Sequence, residues 1–149
     1  MEVLNISDKN KGFSLVELVI VIAIMAVIIS ILAPQFIRYV EKSKVGKDID
    51  TVGVVQRAIN VAMVDTSIAD RPSVYSGHLA NLETSSMHDF VKAIKEYMGA
   101  VDLSTFANEH LSSNAYKGND MYIDIDAESE LIRVTVSSNY VGMDAIVVE

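Results

Sequence analysis

Glu17 heads a stretch in which no charge occurs from Leu18 to Ala33 and Ser30 is the one hydroxyl. A carboxylate in a run of this kind costs about 2.5–3.5 kcal/mol at a bilayer centre and less near an interface. Two readings stand side by side: a side chain reaching for the membrane edge, or a charge that waits for a partner. The chain as written offers no obvious partner. A cut after Gly12 would create one, the α-amino group of Phe13. That amine would lie about a turn away in the same chain, or beside the Glu17 of a neighbour in a staggered array. A desolvated pair is favourable only when its geometry is good, so such a pair would act as a register device for assembly.

Other chemistry is thin. His78, His88 and His110 are scattered, without a second histidine at helical ligand spacing, and read as solvated. Asp124, Asp126, Glu128 and Glu130 alternate around a turn and supply oxygens of the kind calcium takes. Their spacing lacks the glycine of an EF-hand loop, and a solvated acidic hairpin is the plainer reading. There is no Gly-rich phosphate loop, and no motif joins Ser, His and Asp into a nucleophilic triad. We read the chain as not an enzyme, with no metal and no cofactor implied. Cysteine is absent, which excludes disulfides and thiolate chemistry.

The chain has 149 residues, half of them hydrophobic, and a formal charge of −8. Residues 35–149 hold 17 acids against 10 bases. This balance argues against a nucleic-acid surface, which needs a basic face. The length suits one domain with a membrane stalk added.

The elements that must position Glu17 follow from periodicity. From Phe13 the apolar segment has about 21 residues, or roughly 31 Å of helix, one hydrocarbon core. It is apolar on all sides, and 149 residues offer little interior in which to bury it. Pro34 follows: it either ends this helix or sits inside a longer one. From Gln35 to Asp65, Val45, Ile49, Val52, Val55, Ile59, Ala62 and Met63 recur at helical spacing. Lys44, Lys47, Asp48 and Arg57 lie off that stripe as a solvated face. Val54 and Val61 form a second apolar side, for the core or for a neighbouring helix. Gly46 and Gly53 mark flexible points.

Thr66–Thr84 reads as loop, with turn signals at Asp70–Ser73 and Ser76–Gly77. Ser85 or Ser86 can cap a short helix that buries Met87, Phe90, Val91 and Ile94 and stops at Gly99. Asp102 or Ser104 can cap another turn holding Phe106. Then the period changes to two: Met121, Ile123 and Ile125, next Ile132, Val134 and Val136, and last Ile146 and Val148. The predicted fold is α+β: a long N-terminal helix, membrane-spanning in its first half and amphipathic in its second, under a small antiparallel sheet.

Lys11-Gly12-Phe13-Ser14-Leu15-Val16-Glu17-Leu18, with the apolar run behind it, resembles the signal of type IV pilins and their pseudopilin relatives. The resemblance is close over roughly residues 9–44. It implies cleavage by a prepilin peptidase after Gly12, N-methylation of Phe13, a role for Glu17 in assembly and a helix kink at Pro34. Ser14 replaces the threonine of many members, and Ala26 stands where a helix-breaking glycine is common. Some secretion pseudopilins bind calcium near the C-terminal sheet, which is why Asp124, Asp126, Glu128 and Glu130 are named. Many pilins clamp the C-terminal region with a disulfide; this chain must hold it by packing.

The expected organisation is a cleaved leader over 1–12, a membrane and filament-core half-helix over 13–34, and an amphipathic half over 35–65. A variable connection follows over 66–119 and the sheet over 120–149. The expected function is a structural subunit of a type IV pilus, with adhesion or twitching motility as outcomes. The alternatives are a pseudopilin of a type II secretion or DNA-uptake system, and an uncleaved single-pass anchor carrying a binding domain. Implied partners are other copies, minor pilins, the prepilin peptidase, the assembly platform with its ATPase machinery, and membrane lipids; no nucleic acid is directly indicated. Lys9 and Lys11 predict a cytoplasmic N-terminus in the inner membrane, before incorporation into an extracellular filament.

Overall fold

A computed structural model describes residues 13–100, 102–140 and 144–149. Helix α1 runs from Leu15 to Val64 and continues through Pro34, so the proline does not end it. The ring removes one N–H, which leaves the Ser30 carbonyl without its helical donor. The chain divides into two units, the first reaching Tyr39 and the second spanning Val40–Glu149. In the first, the apolar side chains of α1 are exposed along its length.

The second unit holds the core. Val52, Val55, Ile59 and Ala62 of α1 are buried, as the predicted stripe requires, and Ala58 is buried beside them. Ile49 departs from it and is exposed. Asp48 departs in the opposite sense: expected on a solvated face, it is 0 % exposed. Its carboxylate accepts the Ser112 N–H at 2.8 Å and the Ser113 N–H at 3.0 Å, along with both serine hydroxyls. Those donors arrive from far along the chain, so a helical wheel could not anticipate them. Two turns earlier, Glu41 accepts from the backbone and side chain of Asn114.

The sheet is a meander, β1-β2-β3-β4, antiparallel throughout. Strands β2 (Met121–Asp126), β3 (Leu131–Val136) and β4 (Ile146–Val148) lie where the alternation placed them. Met121, Ile123, Ile125, Val134 and Val136 face inward and share one cluster with the buried face of α1. Glu130 closes the β2–β3 turn with φ of 54°.

Strand β1 (Val74–His78) corrects the expectation of loop over Thr66–Thr84. It pairs with all of Tyr122–Asp126, yet its sequence, Val-Tyr-Ser-Gly-His, is rich in turn residues and it buries little. Partner β2 supplies the hydrogen bonds, so an edge strand forms without a strong apolar alternation of its own. A Cβ at Gly77 would lie 3.0 Å from the Tyr75 hydroxyl, which would have to shift to admit it. That hydroxyl donates to the His78 carbonyl at 3.0 Å, and burial raises its pKa above the ordinary value.

Three short helices complete the unit. Leu79 and Leu82 of α2 (Leu79–Leu82) enter the core and α2 packs against β1, β2 and α4. Helix α3 (His88–Met98) buries Phe90, Val91 and Ile94, and Gly99 ends it in the left-handed conformation, φ 64°. Its N-terminus is not capped by Ser85 or Ser86. Asp70 accepts the N–H groups of Asp89 and Phe90 at 2.8 and 2.9 Å, the service an N-cap side chain gives, from a separate loop. Helix α4 (Leu103–His110) is capped by Asp102, which accepts from Ser104 at 2.8 Å and packs Phe106 inward. Glu83 ties α3 to α4, pairing with Lys95 and accepting the Leu103 N–H.

Candidate functional site at the head of the long helix

Phe13 is 85 % exposed and Ser14 immediately precedes the first helical residue. The Ser14 carbonyl accepts from the Leu18 N–H at 3.2 Å, the first helical bond. The Ser14 N–H donates to Glu17 Oε2 at 2.9 Å. Ser14 and Glu17 thus occupy the first and fourth places of the S-x-x-E capping pattern. Glu17 therefore has a partner within its own chain, a backbone N–H, which the sequence reading missed. The signal was present in the spacing. Its place in the first turn also puts the carboxylate at the positive end of the helix dipole.

Behind Glu17, α1 is by length and composition apolar enough to cross a membrane, and its apolar segment is unburied. Side chains on every face, among them Leu18, Val19, Ile20, Val21 and Ile22, stand exposed. Removing each of these from water contributes about 1.5–3 kcal/mol, so a covering surface is strongly favoured. Ser30 donates its hydroxyl to the Val27 carbonyl at 2.7 Å and so exposes no unsatisfied donor. Gly12, expected beside the cut, lies outside the described residues, as does the rest of 1–11. Pro34 lies inside α1, on the same apolar segment.

The acidic hairpin is tied by its own hydrogen bonds. Asp126 accepts from the Glu128 N–H at 3.0 Å and the Ser129 hydroxyl at 2.7 Å, which ties the turn. The Ser129 hydroxyl, with that amide behind it, holds the Asp126 carboxyl below its ordinary pKa. Asp124 lies opposite Arg133 in the strand register, while Glu128 and Glu130 are exposed. Among the described residues no three His, Asp or Glu side chains converge on a point that could hold a metal. The three histidines are exposed: His78 faces Asp120 at 3.3 Å, His88 meets the Ser86 carbonyl, and His110 stacks on Phe106.

The helix–sheet fold and this N-terminal segment define a pilin-like class of protein. Residues 7–33 match the family model described as the prokaryotic N-terminal methylation motif. The chain is 37 % identical over 61 residues to the type IV major fimbrial protein FimA of Dichelobacter nodosus, covering 41 % of this chain and 38 % of that protein. It is 28 % identical over 101 residues to the type IV major alpha-pilin of Moraxella bovis, covering 68 % of this chain and 64 % of that one. Prepilin peptidase-dependent protein A of Clostridium perfringens is 31 % identical over 62 residues, 42 % of this chain and 44 % of its own length. These matches support a type IV pilin family for the chain, and each spans less than two thirds of the relative concerned. No solved structure gives a significant match.

Proposed function

We propose that the chain is a structural subunit of a type IV pilus. It is made as a single-pass membrane prepilin, cleaved after Gly12, N-methylated at Phe13 and packed into a helical surface filament that serves adhesion or twitching motility. The observation that carries this reading is the wholly exposed apolar half of α1 with one acid in its first turn. A bilayer covers that surface in the precursor, and the same half-helix of other copies covers it in the filament. A plain membrane anchor needs the apolar run but has no use for Gly12, Phe13 and Glu17 at its head. In this reading Glu17 has two successive partners: the Ser14 N–H in the precursor, then the methylated amine of Phe13 on a neighbouring copy. Pro34 is where a bend in α1 is placed, because the helix lacks a hydrogen bond there. The chemistry is done to the chain by a prepilin peptidase; the assembly platform and its ATPase then move it from the inner membrane to the surface.

Intact and N-terminal peptide mass spectrometry tests this directly, on native membranes and on material sheared from the cell surface. A chain that starts at Phe13 with one added methyl, present in the sheared fraction, is the expected result. Residues 1–12 still attached in cells with an active peptidase would replace the filament with an uncleaved anchor. Electron microscopy of the sheared fraction separates a long surface pilus from the short pseudopilus of a secretion or DNA-uptake system.

A further inference from the structure

The end of α1 leaves Val61 and Val64 exposed, and Tyr97 of α3 stands beside them across an apolar groove. Around Val64 the groove continues past Met63 and Ile132 to the β2–β3 turn. Its rim is acidic: Asp65, Asp126 and Glu130 line it, and Glu128 stands in the same turn. Two bases lie nearby. Arg71 is engaged with the Met63 carbonyl, and Lys92 shares its side of the body with Asp89 and Glu96. The rim is negative after both are counted.

The opposite charge sits at the other end of the same unit. Lys42, Lys44 and Lys47 fall in two turns of α1 that hold no acid between them. Of the nearby acids, Glu41 accepts from Asn114, Asp48 is buried on Ser112 and Ser113, and Asp50 is exposed about one turn beyond Lys47. No ion pair among the described residues involves these lysines. Along the helix, Lys47 and Asn60 are about 20 Å apart and Lys42 and Val64 about 33 Å. A chain therefore cannot bring its own lysines to its own groove.

We propose that the acid-rimmed groove receives the lysine-bearing turns of α1 from a second copy of this chain. Lysine stems cover Val61, Val64 and Tyr97 while their ammonium groups reach the rim carboxylates. Two different surfaces of one chain meet in this contact, so it is heterologous and propagates as an open polymer unless its rotation closes a ring. The contact rests on the filament reading and assigns the part of the body that fixes subunit spacing.

The chain has no cysteine, which makes cross-linking clean. Lys47→Cys and Glu128→Cys are introduced into the full chain, singly and together, and oxidised in membranes and in sheared material with copper phenanthroline. The double variant is expected to give a thiol-reversible ladder of dimer, trimer and higher species, and each single variant monomer alone. No ladder from the double variant, or dimers from a single one, overturns the contact. A charge test runs beside it. Lys42→Glu with Lys47→Glu should lower filament yield roughly ten-fold, and adding Glu128→Lys with Glu130→Lys should restore much of it. If the lysine variants lower filament yield but the hairpin charge reversals neither lower it alone nor restore it in combination, the lysines act elsewhere and the contact is wrong. A ladder in membranes from cells that make no filaments would uphold the contact and sink the pilus reading.

Discussion

Asp48 and Ser113 are joined across 65 positions of chain: the buried carboxylate of one accepts the backbone N–H of the other at 3.0 Å. With Ser112 the same carboxylate takes two N–H groups and two hydroxyls. It fixes the loop after α4 to the helix that carries the core, a place where a chain without disulfides has no covalent clamp. Removing the acceptor leaves several donors buried together. Asp48→Ala is therefore expected to cost about 3 kcal/mol, seen as a lower melting temperature of the full chain in detergent. Asp48→Asn should lose less, since one acceptor oxygen remains. Unchanged melting of Asp48→Ala would show the loop to be held by packing alone.

Glu17 combines two properties, a hydrogen-bond acceptor for Ser14 and a charge. Glu17→Gln keeps the first, because glutamine serves at the same position of a capping box. Cleavage and helix content should then stay normal while filament yield falls at least about ten-fold, if the charge pairs between copies. Ser14→Ala keeps the backbone N–H that Glu17 accepts and should leave helix content nearly unchanged with the charge intact. Wild-type filament yield from Glu17→Gln would remove the charge from the account and leave the cap.

Asp70 caps α3 from outside it. Asp70→Ala should fray the first turn of α3 and speed hydrogen exchange at Asp89 and Phe90 by roughly ten-fold, about 1.4 kcal/mol, while the Gly99 end stays protected. Equal acceleration along all of α3 would mean that the helix opens as one piece and that Asp70 does not act locally.

Asp65, Asp102 and Asp126 are each held below the ordinary carboxylate pKa, first by the hydroxyl of Ser67, Ser104 and Ser129 respectively. A folded pKa that is depressed means the unfolded chain takes up its proton first as pH falls. The turns then keep their full contribution above the unfolded value of about 3.9 and lose it as pH drops through the lower folded values. The amide signals of Ser67, Ser104 and Ser129 should hold steady from neutral pH to about pH 5 and move only below about pH 4. Movement well above pH 5 would overturn the assignment to these three carboxylates.

Much of the architecture was legible in the sequence, because period depends on local geometry alone. Met121, Ile123 and Ile125 repeat every second residue, and one face of β2 is buried in consequence. Gly99 ends α3 because a left-handed residue was needed there and glycine takes that conformation at little cost. The apolar run, its length and the acid at its head likewise follow from composition and spacing. They also carry the resemblance to type IV pilins, and the S-x-x-E spacing of Ser14 and Glu17 was readable in the same stretch.

What the tertiary structure alone decided involves partners far apart in sequence. Asp48 lies off the apolar stripe and is buried because Ser112 and Ser113 arrive from beyond α4 to satisfy it. Val74–His78 is a strand because Tyr122–Asp126 offers it a ladder, although Ser76 and Gly77 by themselves favour a turn. Asp70 displaces Ser85 and Ser86 as the cap of α3 because the fold brings its carboxylate to the two free N–H groups. In each case a polar group gained its place from a hydrogen bond that only the closed chain can form. A linear pattern records what a residue prefers, and the fold decides which long-range partner satisfies it.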